Sequence, residues 1–140
     1  MSLLITPLKG VGSIKFGMTP SEARKKIDGE YKSFKRTPTS ELPCDYFELH
    51  GVFIYYKLPG VVEAIEFSDP SSPTLENEEL LKMSFIKLKE FLYNRDPELE
   101  VEDDSLTSYK LGIGAYASNA VENPDSLIES VIAFEKGYYD

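Results

Sequence analysis

"GVGSIKFGMTPSEARKKI", residues 10–27, decides the fold, because its second half is a helix entrance that the chain writes twice. Thr19-Pro20-Ser21-Glu22 has the form of a capping box. The threonine hydroxyl accepts from the glutamate amide, the glutamate reaches back, and proline suits the first helical position. Ala23 and Ile27 then fall on one helical face, and Asp28-Gly29 ends the helix. Sixty-five positions on, "KMSFIKLKEFL", residues 82–92, puts Met83 where Met18 stood and Ser84 where Thr19 stood. Phe85, Leu88 and Leu92, with Phe91, form a helical stripe. This second helix stops before Asp96-Pro97, because the residue preceding proline disfavours the helical region.

Each helix is followed by extended segments. After the first come "EYKSFKR", a loop "TPTSELP", and "CDYFELHGVFIYYKLPGVVEAIEFSD", which reads as three strands broken at His50-Gly51 and Leu58-Pro59-Gly60. "PSSPTLENEE" reads as a linker. After the second helix, "ELEVEDD", "LTSYKLGIGAYAS" and "LIESVIAFEKGYY" read as strands, with "NAVENPDS" as a loop. The middle strands correspond at an offset of 61, Gly51 on Gly112, Val52 on Ile113 and Tyr55 on Tyr116. The last strands correspond at 67, Ile65 on Ile132 and Phe67 on Phe134. The expectation is an α+β single domain over 1–140, with internal repeats 10–70 and 78–138. Each repeat is a helix plus an antiparallel meander, and together they form a curved sheet with helices on one face.

Val52, Ile54 and Tyr56, matched by Ile113, Ala115 and Ala117, are assigned to the face that meets the helices, as are Ile65, Phe67, Ile132 and Phe134. The other face then carries Phe53, Tyr55, Tyr46, Glu48, His50, Ala64 and Glu66, with Gly114, Tyr116, Thr107, Tyr109, Leu111, Val131, Ala133 and Glu135 from the second half. An antiparallel sheet covered on one side leaves the other to solvent. Tyrosine and phenylalanine on such a face supply large apolar area with few rotamers to freeze, as protein-binding patches do. The alternative is that a loop or a terminal segment covers them and they are core.

The 140 residues include 41% hydrophobic and 28% charged side chains, enough to bury a core. The net charge of −9 is uneven: residues 1–70 balance nine basic against nine acidic side chains, whereas 71–140 carry six against fifteen. Such a field opposes nucleic acid and anionic membrane and favours a basic partner, or serves solubility alone. Asp96–Asp104 holds six acids in nine residues, read as a half-buried strand with a charged outer edge that deters strand addition, or as a ridge for a cationic partner. A calcium loop fits poorly, since no glycine turn or terminal bidentate glutamate follows at loop spacing. The one cysteine, Cys44, suits a reducing compartment, and "MSLLITPLKG" lacks the basic segment of a signal peptide, so a cytoplasmic location is expected. His50 is the only histidine; no nucleophile–base pair, zinc set or phosphate-binding fingerprint is present, and neither enzyme activity nor a cofactor or metal is expected.

"GSIKFGMTPSEARKKI", followed by a meander and then repeated, resembles the β-lactamase inhibitor protein fold and the small bacterial proteins of that architecture, several of them toxin immunity proteins. The specific part is Phe16-Gly17-Met18-Thr19 with Glu22, which is also similar to small outer-membrane assembly lipoproteins, though those carry a lipobox cysteine that Cys44 does not match. The resemblance implies a concave sheet that grips another protein. The expected function is that of a cytoplasmic immunity protein that blocks a toxin, with a basic toxin domain as the expected partner, by steric occlusion. Tyr46, Phe53, Tyr55, Tyr109 and Tyr116 are the expected anchors, and Glu48, Glu66 and Glu135 the steering charges. The alternative is a small-ligand or housekeeping module that uses the same concavity.

Overall fold

The computed structural model describes residues 3–139. Along the chain run β1 (Ile5–Thr6), β2 (Gly10–Val11), β3 (Ile14–Lys15), α1 (Pro20–Arg24), β4 (Lys32–Phe34), β5 (Cys44–Phe47), β6 (Val52–Lys57) and β7 (Val61–Ser68). There follow β8 (Thr74–Leu75), β9 (Glu78–Glu79), α2 (Phe85–Tyr93), β10 (Glu100–Val101), β11 (Ser105–Ser108), β12 (Ile113–Tyr116) and β13 (Ser130–Phe134). The protein is mixed α+β and mostly antiparallel sheet.

The capping box forms as its residues require. Thr19 Oγ1 accepts from the Glu22 amide at 3.2 Å, and Glu22 Oε1 accepts from the Thr19 amide at 3.2 Å. The helix is shorter than its pattern suggests. It ends at Arg24, and a tightened turn, Lys26 N–H to Ala23 O at 3.0 Å, still delivers Ile27 to the core. Five residues cannot hold a helix alone, so α1 depends on what it packs against. α2 is entered through Ser84, whose hydroxyl accepts from the Lys87 amide at 3.3 Å. Two N–H groups of its first turn, Phe85 and Ile86, donate to Ser126 O and Pro124 O in the β12–β13 loop, which satisfies donors that a helix start leaves open.

One eight-stranded sheet dominates, in the order β10-β11-β12-β13-β7-β6-β5-β4. Four strands from each half follow one another as a meander, and the two meanders meet where β13 pairs antiparallel with β7. Both helices lie on one face, the inner face. Ala23, Phe85, Leu88 and Leu92 join Val52, Ile54, Ile65, Phe67, Ile113 and Val131 in one buried cluster. The small sheet β1-β2-β3 covers the same face, with β2 over β7 and β13 and with Ile5, Val11 and Ile14 buried. Gly51 and Gly112 turn the chain into β6 and β12 at φ +65°. A Cβ there would meet Ser68 O at 2.2 Å or Phe134 O at 2.5 Å, so only glycine fits.

Three expectations are corrected. Val131 pairs with Phe67 and Ala133 with Ile65, so these residues face the helices, while Ile132 and Phe134 point to the outer face. The offset of 67 is thus one residue out. The run 131–134 is apolar at four consecutive positions because Val131 and Ala133 pack against the helices while Phe134 and Ile132 make apolar contacts on the other side, so alternation could not reveal its register. The expected linker holds the hairpin β8–β9, turned at Glu76-Asn77 with φ of 51° and 68° and anchored by buried Leu75. The acidic stretch forms only a two-residue exposed strand, and its first acid is buried: Asp96 accepts from Ser108 Oγ at 2.7 Å and from the Glu98 amide at 3.0 Å.

A buried carboxylate fastens α1 to the sheet. Asp45, on the inner face of β5, has no exposed surface. It accepts from Arg24 Nε at 2.7 Å and Nη2 at 3.0 Å, from Ser33 Oγ at 2.5 Å and from Tyr56 Oη at 2.5 Å. Burial opposes its charge, but hydrogen bonds from Arg24, Ser33 and Tyr56 outweigh that and hold the carboxyl below its usual range. A depressed folded-state value contributes stability above the unfolded pKa, near 3.9, that is lost as pH falls through the folded value. Asp45→Asn should therefore cost about 3 kcal/mol at pH 7, the lower end for breaking a buried pair since Arg24 is partly exposed. In urea melts the gap to wild type should close as pH falls below about 4. Phe67→Ala should cost about 3–5 kcal/mol in the same melts.

Candidate functional site

Register sets the outer face. Lys32, Tyr46, Phe53, Glu66, Ile132, Gly114, Thr107 and Glu100 are successive cross-strand partners, one line from β4 to β10. Cross-strand partners share a face, so this line is the spine of the outer surface. On one side of it runs the line Ser68, Ser130, Tyr116, Ser105, and on the other side lie Cys44, Tyr55, Ala64 and Phe134, a second small buried cluster.

The first half of the face is filled with rings. Tyr46 stacks on Phe53 with centroids 4.1 Å apart, Phe53 lies parallel to Tyr55 at 6.1 Å, and Phe34 meets Phe53 edge-on at 6.4 Å. Tyr55 is only 6% exposed, because the Arg36 guanidinium from the β4–β5 loop sits 4.1 Å above its ring. The Tyr55 hydroxyl donates a short hydrogen bond to Glu66. Burial, and then Glu66, push that hydroxyl well above the usual tyrosine range. Its neighbour Tyr56 points through the sheet to Asp45, so two adjacent tyrosines each serve a carboxylate, one per face. A bulge opposite Tyr55-Tyr56, where Glu63 is the extra residue of β7, accommodates both.

The second half has a different surface. The C-terminal turn folds Tyr138 and Tyr139 over Phe134 at 5.6 and 5.1 Å, and Tyr109 meets Tyr139 edge-on at 5.8 Å. Between these rings and Tyr116 the sheet is bare at Gly114. A groove of about 480 Å³ opens there, with Gly114, Ile132 and Glu66 among its lining and Tyr116, Tyr138 and Tyr139 along it. A smaller one of about 280 Å³ lies at the far end of β6, beside Cys44, Tyr55 and Glu63.

Of the residues chosen from sequence, Tyr46, Phe53, Tyr55 and Glu66 form one contiguous group. Tyr109 and Tyr116, 48% and 43% exposed, flank the second half. Glu48 stands apart in a single turn after β5, 3.8 Å from Lys32, and Glu135 pairs with Lys57 at 2.6 Å beside Glu63. His50 leaves the face altogether and bonds Asp28 O through Nε2 at 2.7 Å. Arg36, Tyr138, Tyr139 and Ile132 were not chosen. The Gly137-Tyr138-Tyr139 ending was the one visible signal, a turn residue delivering two rings. Among the described residues no group of three or more His, Cys, Asp or Glu side chains could hold a metal ion, and no helix is long and apolar enough to cross a membrane.

Comparison with family models, curated proteins and solved structures returns no match to the chain.

The partial cover over Tyr55 has a measurable consequence. Tyr55→Ala should cost about 3 kcal/mol, as for other large buried aromatics. Tyr116→Ala should stay within about 0.5 kcal/mol of wild type. Equal losses at the two sites in denaturant melts would remove the distinction between a buried and an open half of the face.

Proposed function

We propose that the protein is an inhibitor of another protein, of the immunity type, which neutralises a toxin by covering it with the outer face of its sheet. The observation that carries this reading is the group of half-buried Tyr46, Phe53 and Glu66 in one line across β5, β6 and β7, left open beside an inner face covered by helices. Rigid aromatic side chains with polar neighbours supply binding area at small entropic cost. The two grooves are half open to the side of the sheet and neither is a closed cavity, which is compatible with a side chain presented by a protein surface. A cytoplasmic site of action accords with the single buried cysteine.

The same reading includes an internal duplication, the architecture that the resemblance to β-lactamase inhibitor protein implies. Three paired features support it. Thr19 and Ser84 cap their helices in the same way. Met18 O accepts from the Val62 amide at 2.8 Å, and Met83 O accepts from the Ile128 amide at 3.1 Å. Gly51 O accepts from the Ser68 amide at 2.9 Å, and Gly112 O from the Phe134 amide at 2.8 Å. The first helix entrance is thus bonded to Val62 within β7 and the second to Ile128, two residues before β13, at an offset of 66.

The test is binding kinetics against the product of a neighbouring toxin-like reading frame. The double variant Tyr109→Ala with Tyr116→Ala should speed dissociation at least about tenfold, or 1.4 kcal/mol. Replacing Glu98, Glu100 and Glu102 by glutamine should slow association severalfold at low salt. That effect should fade above about 0.15 M, where charges more than roughly 8 Å apart are screened. A complex indifferent to the tyrosines, with the variants folded, would place the interface elsewhere.

A further inference from the structure

The outer face is asymmetric about the β7–β13 pair. On the first side of the central Glu66–Ile132 pair, β6 presents Phe53, stacked on Tyr46; on the other side β12 presents Gly114, beside Thr107. One half carries rings where the other carries a gap of about 480 Å³. The gap is bordered by tyrosine rings, by the hydroxyls of Ser105, Thr107 and Ser130, and at one end by the chain's own Arg36, whose guanidinium is turned onto the Tyr55 ring. Glu66 also borders it. Among the described residues Glu66 has one hydrogen-bond partner, Tyr55, through Oε1, and no ion pair, so Oε2 is left to accept from an incoming donor.

These features suit a planar cation. A flat group fits between rings, aromatic faces attract positive charge, and a carboxylate with hydroxyl acceptors matches the several N–H donors of a guanidinium better than the point charge of an ammonium. The chain's own Arg36 illustrates the chemistry alongside: its guanidinium lies on Tyr55, with Tyr138 and Glu66 near enough to stabilise its charge. The protein's net charge of −9 adds a field of the right sign. We infer that the groove at Gly114 is the seat for an arginine side chain of the protein partner, held between Tyr116 and the Tyr138–Tyr139 pair with its guanidinium on Glu66. This rests on the reading of the outer face as a protein-binding surface.

The probe is N-acetyl-arginine amide, titrated into the ¹⁵N-labelled full chain, with N-acetyl-citrulline amide as its uncharged isostere and N-acetyl-lysine amide as the non-planar cation. The arginine probe should shift the Gly114 and Ile132 amides saturably, with the lysine probe severalfold weaker and citrulline at least about tenfold weaker. Glu66→Gln, which keeps an acceptor for Tyr55, should weaken the arginine probe about tenfold without altering the melt. Tyr116→Ala, on an exposed side chain, should weaken it severalfold. Equal binding of citrulline, shifts centred on Glu98–Glu102, or an unchanged affinity in a folded Glu66→Gln variant would each overturn the assignment. The two readings fail separately. A toxin complex that depends on Tyr109 and Tyr116 but ignores Glu66→Gln removes the arginine seat alone. A seat that binds the probe while the neighbouring product forms no complex removes the immunity role alone.

Discussion

The antiparallel pairing of β13 with β7 is the constraint on which the rest depends. Five residue pairs, Ser130–Ser68 to Phe134–Ala64, join two four-stranded meanders into one sheet. Without that seam each meander would end in an open edge, and the helices would have no common surface to cover. The seam also assigns faces. Val131 and Ala133 go to the helices with Phe67 and Ile65; Ile132 and Phe134 go outward with Glu66 and Ala64. A slip of one residue would exchange every one of these side chains between the helix-packed core and the open face, so both surfaces enforce the same register.

Much of the molecule is written in short local signals. The Thr19 box, the Ser84 cap, the Phe85–Leu88–Leu92 stripe and the strand breaks before Val52 and Val61 all fall where the sequence places them, since each depends on interactions within a few residues. What escaped is non-local. The apolar run 131–134 does not say which side each residue takes, because both sides of the strand make apolar contacts. The β8–β9 hairpin hides in a proline- and serine-rich stretch because its anchors are a single buried Leu75 and non-local contacts of Thr74 with Leu3 and Glu76 with Arg95, beside two residues of positive φ in its turn. Arg36 and the Tyr138–Tyr139 pair come to the outer face from a loop and a terminal turn, whose reach no periodicity encodes.

The two faces manage charge by different means. Asp45 is wholly buried on the inner face, where Arg24, Ser33 and Tyr56 supply four hydrogen bonds, and the same contacts tie down a helix too short to stand alone. Glu66 occupies the outer face half-buried, with Tyr55 as its donor and an oxygen to spare. The first arrangement is closed and contributes to stability; the second is incomplete, with one carboxylate oxygen facing the groove at Gly114. The consecutive tyrosines at 55 and 56, separated onto opposite faces by the strand, make both possible from one dipeptide.

The sheet's edges explain why the outer face, rather than the rim, is the surface left for contact. β4 is three residues long and β10 two, too short to template a further strand. Pro38 follows the first and Pro97 precedes the second, removing backbone donors beside each edge. Lys32 and Lys35 lie along one edge and Glu98, Glu100 and Glu102 along the other, so extension by a like edge of a second copy meets like charge. With the inner face filled by α1, α2 and the β1–β3 sheet, and both edges blunted, the surface between the edges is what the sheet leaves open. There the rings of the first half give a firm platform and the bare stretch at Gly114 gives depth, so the outer face is a ridge beside a groove rather than a flat surface.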